Sequence, residues 1–348
     1  MQNISVTNTS HSNIFRPEPV MLPSQASGIA FCVAFFWILT FIVVGNGVNI
    51  VLFAFNKTLR KKALLLVINL AISDFMLGAV SLPLYITYFV GNYYQLWLVQ
   101  FSDLPTATFY IFVDLALLQA SFLSAVFISC ERLYAVHFPF KHRTLSSRAY
   151  CLVILTVWIL ALLIAGIGTI LSHLVSHRAT VIFWVCAALT QILIICGCSI
   201  GIWRKFQNGD VTVHQRNRAT QNKRLTKVLL FVSFVELLTW LPLVTLDCVF
   251  LSGVDPRCFD YGTFQFIANI LNYSGSFFNP VVYALRIPEF RKALSLCCTS
   301  RGSIFSRKRN EKRRGKTSVL TTMQSGTLQS YPSRPQVASQ EFAFDTRL

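Results

Sequence analysis

Charge is what this sequence has least of. Asp, Glu, Lys and Arg together make up 13% of 348 residues, and only 14 are acidic, against roughly 25% charged in a soluble domain. So few charges cannot clothe a water-facing surface on a chain of this length, which excludes a soluble enzyme or binding module. Other absences narrow the choice. The chain lacks the alternating apolar and polar pattern of a membrane β-barrel and the internal repeat of many transporters. Its six histidines (His11, His137, His142, His173, His177, His214) lie at or outside the ends of apolar stretches without metal-ligand spacing. No enzyme constellation presents itself. Residues 1–27 lack the basic-then-apolar layout of a cleavable signal, so the first apolar stretch is expected to act as its own anchor.

What is present is apolar length. With 54% hydrophobic residues, long apolar stretches recur at 28–55, 64–91, 105–137, 149–172, 180–203, 225–251 and 262–285. Each is long enough to cross a ~30 Å hydrocarbon core, and backbone in lipid must bond within itself, so each is expected to be helical. The fold class expected is all-α, a seven-transmembrane helix bundle. The net charge of +17 then has a topological reading. Arg16, Arg178 and Arg257 fall on one side of the bundle, and the remaining 28 of 31 basic residues fall in the odd-numbered connections and the tail. The positive-inside rule puts the N-terminus outside and the C-terminus inside. Nucleic-acid binding needs no invoking. Asn3 and Asn8 sit in glycosylation sequons on the outer side.

Ionisable groups at membrane depth are costly and mark function. Asp74, Asp114, Glu131 and Glu236 qualify, while Asp247 lies near the outer end of the sixth span. Around them stand Gly45-Asn46 in the first span and Asn69-Leu70-Ala71-Ile72-Ser73-Asp74 in the second. Glu131-Arg132-Leu133 closes the third span, and Trp158 lies in the fourth. Trp240-Leu241-Pro242 marks the sixth and Asn279-Pro280-Val281-Val282-Tyr283 the seventh. These motifs, in this order on these spans, resemble the rhodopsin-like (class A) G protein-coupled receptors over about residues 28–298.

The resemblance implies roles. Glu131 would neutralise Arg132 at rest, and Arg132, once released, would meet a heterotrimeric G protein. Asn222 stands near the place where the sixth helix often offers an acid to this arginine, which implies a weaker resting lock and raised basal activity. Asn46, Asp74, Ser121 and Asn279 match the family's polar cluster, which often holds a sodium ion, although Gly275 replaces a frequent Asn. Oxygen ligands suit such a hard cation, and a water-filled network is the alternative. Pro242 and Pro280 remove backbone hydrogen bonds and kink their helices. Trp240, Asn279 and Tyr283 beside them imply an activation switch.

Asp114 precedes Arg132 by 18 residues, five turns of helix and about 27 Å of rise, so it shares that face near the outer end. Similar positions in receptors for biogenic amines and some basic peptides hold the aspartate that pairs with the ligand's cation. Tyr273, Asn269, Leu118 and Trp240 are the accompanying ligand-site candidates. The alternative is an Asp bonded to Tyr273 and water. Several departures oppose a plain amine-receptor label. Leu243, Val244 and Ile270 replace frequent aromatics, Ala107 replaces the usual Cys, and the loop 173–179 has none. No Pro lies between Pro139 and Pro242. The missing disulfide and fifth-helix Pro are similar to melanocortin and cannabinoid/lysophospholipid receptors, so a lipid or melanocortin-like ligand is the alternative. Glu236 replaces an expected Phe and has no assigned role. An opsin needs a Schiff-base lysine in the seventh helix, where none exists; a transporter or channel is the remaining rival.

Cys248 and Cys258 are candidates for a local disulfide in the last outer loop. Residues 286–298 resemble the family's short amphipathic eighth helix on the inner leaflet, with Cys297 and Cys298 as palmitoylation candidates. The basic run 307–316 would attract anionic membrane lipids. Residues 299–348 form a basic, then Ser/Thr-rich tail of the kind that receptor kinases phosphorylate and arrestin reads. Thr346 and Leu348 at the end fit a PDZ-domain ligand. The expectation is a multi-pass plasma-membrane receptor and not an enzyme.

Overall fold

The computed structural model describes residues 24–56, 59, 62–97, 104–207, 216–254, 260–286 and 290–295. The described residues are almost wholly helical, with no strand among them. The long helices are α1 (Gln25–Phe55), α2 (Leu65–Tyr93), α3 (Leu104–His137), α4 (Ser147–Leu174), α5 (His177–Gln207), α6 (Arg216–Leu251) and α7 (Tyr261–Arg286). All but α7 are long and apolar enough to cross a membrane by length and composition. α7 has 26 residues, or about 39 Å of rise. Its hydropathy is lowered by Asn269, Asn272, Ser274, Ser276 and Asn279.

The helices form a ring in chain order, with α7 returning to α1. α3 runs through the middle against α2, α4, α5 and α6. Large apolar side chains such as Phe36, Trp37, Leu162, Leu193 and Phe231 are exposed around the bundle, which suits a hydrocarbon surrounding and not water. Following the basic-residue asymmetry, the end where α1 starts is called outer.

Connections are tight where the sequence has little to spare. Only Val175 and Ser176 separate α4 from α5, and the Ser176 hydroxyl caps α5 by accepting from Ala179 N at 3.2 Å. Ser146 caps α4 in the same way. A short helix, Pro139–Thr144, lies between α3 and α4. Residues 290–295 are helical, with Phe290 and Ala293 buried against the inner end of the bundle and Arg291 exposed.

Two local features aim side chains. α2 contains π-helical turns at Leu77–Ser81 and Ile86–Val90, on either side of Pro83. A proline lacks the donor for a regular turn, and the wider turns re-aim the residues around it. Ser81, buried at the end of the first, consequently points to α3. On α1, a Cβ at Gly45 would lie 2.7 Å from Pro280 Cγ, so only glycine lets α1 approach α7 at its proline.

Candidate functional site

Three polar centres run down the inside of the bundle. The outermost is Asp114, one turn below Tyr110 on α3. Its Oδ1 accepts hydrogen bonds from the Ser81 hydroxyl on α2 and from the Tyr273 hydroxyl on α7, the latter at 3.1 Å. Aromatic rings surround this carboxylate: Tyr85 packs on Tyr273 with centroids 5.7 Å apart, and Phe35 packs edge-on to both. Among the described residues no ion pair forms on Asp114. Leu118, a turn deeper, packs into the same cluster. Asn269 departs from expectation. It lies on α7 one turn above Tyr273 but donates to the Tyr85 hydroxyl at 2.7 Å and not to Asp114, so it holds an aromatic wall of the site.

Below Asp114, Trp240 stacks on Phe122 with centroids 4.4 Å apart and an interplanar angle of 13°. This places an α6 ring on α3 within the turn disrupted by Pro242. Beside it, Gln191 on α5 donates to Gln119 on α3 at 2.9 Å, in the core.

The middle centre is Asp74, fully buried. Its Oδ1 accepts from Ser121 at 2.6 Å and from Ser276 at 2.8 Å, and its Oδ2 accepts from Asn279 Nδ2 at 2.9 Å. Ser121 and Asn279 therefore meet on the Asp74 carboxylate. Asn46 stands one step away, donating to the Ile42 and Ser276 carbonyls. Glu236, unassigned from sequence, belongs here: its Oε1 accepts from the same Asn279 Nδ2 at 2.9 Å. The room for it comes from Gly275, where a Cβ would lie 2.9 Å from Glu236 Oε2. Nearby, Trp158 donates to Asn69, which donates to Ser124, tying α4, α2 and α3 together.

At the inner end Arg132, 2% exposed, turns both Nε and Nη2 onto the neighbouring Glu131 carboxylate. Glu131 is further held by His142 Nε2 at 2.6 Å and by the Tyr150 hydroxyl at 3.0 Å, from the short helix and from α4. Ser129 and Ser233 meet at 2.8 Å and join α3 to α6 close by. The backbone at 222 is helical, but its side chain lies outside the described residues.

Ser81, Ser276, Glu236, His142 and Tyr150 were not singled out as partners of these groups by sequence. Ser276 lies three residues before Asn279, and Ser81 lies two turns beyond Asp74; both spacings put them on the bundle-facing side. Nothing in the sequence alone points to His142 or Tyr150. Cys248 is an exposed thiol on α6. Its expected partner Cys258 lies outside the described residues, as do Asn3, Asn8, Cys297, Cys298, Thr346 and Leu348. Arg178 instead secures that end of α6 by donating to the Leu251 carbonyl at 3.2 Å, as a cation at a helix C-terminus does.

Residues 45–283 match the family described as 7 transmembrane receptor (rhodopsin family). The chain is 27% identical over 288 residues to the Gq-coupled rhodopsin of Mizuhopecten yessoensis, covering 72% of this chain and 56% of that protein. It is 24% identical over 283 residues to the melanopsin of Phodopus sungorus, covering 73% and 59%. The chain thus spans less than two thirds of the length of these opsin relatives. A shorter match, 34% identical over 127 residues, links it to the histamine H4 receptor of Rattus norvegicus, covering 36% and 31%. The crystal structure of squid rhodopsin shares its fold, with a TM-score of 0.66 over 85% of this chain and 90% of that one at 20% identity.

Proposed function

Since the chain belongs to the rhodopsin family of seven-transmembrane receptors, a receptor family and not an enzyme family, we propose that it converts binding of an extracellular cationic ligand into activation of a heterotrimeric G protein. The observation that carries the ligand class is Asp114. This carboxylate is held by two hydroxyls among aromatic rings, and no basic side chain answers it among the described residues. A half-buried carboxylate at membrane depth calls for a counter-charge, and an ammonium can satisfy both the carboxylate and the aromatic rings of Tyr85 and Tyr273. The short match to a histamine receptor supports an amine, and a basic peptide side chain has the same chemistry.

Transduction follows the line of centres. The ligand bears on Tyr273 and, through Leu118, on the Trp240–Phe122 stack; α6 swings about Pro242; Arg132 leaves Glu131 and meets the G protein. Receptor kinases and arrestin act on the tail, and a PDZ-domain protein takes Thr346 and Leu348. The receptor sits in the plasma membrane with its N-terminus outside, glycosylated at Asn3 and Asn8 and palmitoylated at Cys297 and Cys298.

The opsin relatives favour a second reading, a light receptor. Retinal attachment needs a lysine in the seventh helix, and Tyr261–Arg286 contains none, which weighs against it. The test is a panel of amines, basic peptides, lysolipids and retinal applied to cells expressing the wild type or Asp114→Asn. Loss of one partner of a desolvated charge pair costs about 2 kcal/mol or more, so an amine agonist is expected to lose at least about 30-fold in potency. An agonist indifferent to the substitution, or a retinal-dependent visible absorption band, overturns the cationic reading.

A further inference from the structure

Asp247 is a carboxylate at membrane depth that the line of centres leaves unused. It lies on α6 seven residues after Trp240, with the buried Val244 between them, so the three share one face of the helix. Leu241, Thr245 and Cys248 are exposed on the side turned away. The face of Asp247 is thus the one on which Trp240 stacks against Phe122 of α3. The Asp247 carboxylate is half-buried and takes no hydrogen bond or ion pair among the described residues. Phe122 lies eight residues below Asp114 on α3, about 12 Å of rise, and Asp247 stands about 10 Å above Trp240. Because those two rings are stacked, the two carboxylates stand at the same depth to within about half a turn of helix.

Other groups around them also lack partners. The Tyr110 hydroxyl, one turn above Asp114 in a residue only 3% exposed, has no hydrogen-bond partner. On α7, Gln265 shares the face of Asn269 and Tyr273, and its Oε1 is enclosed without a donor. Arg178 is the only Lys or Arg at the outer end among the described residues, and its guanidinium goes to the Leu251 carbonyl at 3.2 Å. By the division of charges across the bundle, Glu18, Asp103, Asp114, Asp247, Asp255 and Asp260 lie outside against Arg16, Arg178 and Arg257. A chain of net charge +17 therefore turns an acidic end outward, which draws cations toward it.

We infer that the ligand carries two cationic centres, one pairing with Asp114 and the second with Asp247. This rests on the cationic reading of Asp114 and extends it. Packed helices have axes about 8–10 Å apart, so the two centres stand on the order of 8 Å from one another. That is the reach of an alkane chain with an amine at each end, and of a peptide with two adjacent basic side chains. Each ammonium brings three donors and no acceptor, which suits a site whose oxygens outnumber its donors.

The purified full-length receptor in lipid nanodiscs is unfolded thermally at constant ionic strength with a ladder of diaminoalkanes of increasing length. Alkylamines of matching length and lysyl-lysine amide are titrated beside them. The wild type is expected to bind the best diamine at least about tenfold more tightly than the monoamine of equal length, with an optimum inside the ladder. Asp247→Asn is expected to remove that preference and to leave monoamine affinity in place. Asp247→Glu is expected to keep the preference and to move the optimum to a shorter chain, a shift that a merely structural Asp247 would not produce; it serves alone if the Asn variant does not fold. Asp114→Asn is expected to weaken diamine and monoamine alike. A dipeptide preferred over the whole ladder, with the preference lost in Asp247→Asn, assigns the dication to a peptide. No stabilisation by any dication, equal affinity for diamine and monoamine, or an undiminished preference in Asp247→Asn overturns the second subsite while Asp114 keeps its role. Binding of both amines that ignores Asp114→Asn overturns the reading at Asp114, and this inference with it.

Discussion

Glu131→Gln is the substitution that tests the inner centre most directly. Arg132 is 2% exposed and gives two of its N–H groups to the Glu131 carboxylate. Breaking a buried ion pair by removing one partner costs about 3–5 kcal/mol. Glutamine, however, keeps an oxygen for the guanidinium and for Tyr150, whose hydroxyl is 3.0 Å from Glu131 Oε1. Charge-assisted hydrogen bonds are about twice as strong as neutral ones, so roughly half the cost remains, about 2 kcal/mol. That cost falls on the closed bundle, where Arg132 is out of water, and not on an open one, where it is hydrated. A change of about 2 kcal/mol multiplies the open population about 30-fold. The assay is ligand-free nucleotide exchange on purified G protein, with receptor density matched and Glu131→Gln plus Arg132→Ala as the control expected to return to background. If Glu131→Gln folds at wild-type levels and its basal exchange equals that of the wild type, the carboxylate is not what holds Arg132 closed and the reasoning fails. The same assay on the wild type tests the expectation of a weak resting lock, which vector-level basal exchange contradicts.

Three further outcomes follow from the packing. Gly275→Ala places a Cβ 2.8 Å from Thr239 Oγ1 and 2.9 Å from Glu236 Oε2; it is expected to destabilise the receptor by about 1–3 kcal/mol, and by clearly less when combined with Glu236→Ala, a non-additivity read from thermal unfolding. Gln191→Leu leaves the buried Gln119 carbonyl without its donor and is expected to cost about 1–3 kcal/mol, whereas Gln119→Leu with Gln191→Leu together is expected to be near neutral. Asp260 caps α7 by accepting from Thr263 N at 3.1 Å, and Asp260→Ala is expected to cost about 1 kcal/mol. Hydrogen bonds from the Thr263 side chain and backbone hold the Asp260 carboxyl below its ordinary value. Its contribution is therefore complete above the unfolded value near pH 4 and is lost as the pH falls through the lower folded value; the gap between wild type and variant should close on acidification.

The spans were legible because bilayer thickness dictates apolar length, and the helices observed contain the apolar stretches nearly to the residue for α1, α3 and α7. α6 starts at Arg216, well before the apolar stretch at 225, because helix continues past the hydrocarbon where hydropathy no longer reports it. The site was legible where both partners carry marks of their own: Asp114 with Tyr273, and Asp74 with Ser121 and Asn279. It was not legible where pairing depends on how a helix is rotated about its axis. The π turns around Pro83 decide that Ser81 meets Asp114. The short helix Pro139–Thr144 decides that His142 meets Glu131. Glu236 was visible as an anomaly, but its explanation lay in an absence on another helix, the missing side chain at Gly275.

Among the described residues α7 is the one long helix that falls short of an apolar membrane span, and the reason is also the reason it matters. Its polar residues face the bundle and touch the outer and middle centres in turn. Asn269 holds Tyr85 in the aromatic wall, and Tyr273 holds Asp114 one turn below. Ser276 and Asn279 hold Asp74, and Asn279 also holds Glu236. Tyr283 then packs on Phe290 at 6.0 Å between centroids. A cation bound at Asp114, as proposed above, would compete with the Tyr273 hydroxyl for that carboxylate, and Asn279 is less than two turns away on the same helix, beside Pro280, where the missing backbone hydrogen bond makes bending cheapest. A displacement at Tyr273 therefore reaches the Asp74–Asn279–Glu236 layer without crossing to another helix, and through Glu236 it reaches α6 six residues before Pro242 turns that helix. The polarity that disqualifies α7 as an obvious membrane span is what makes it the common rail between the outer carboxylate and the moving helix.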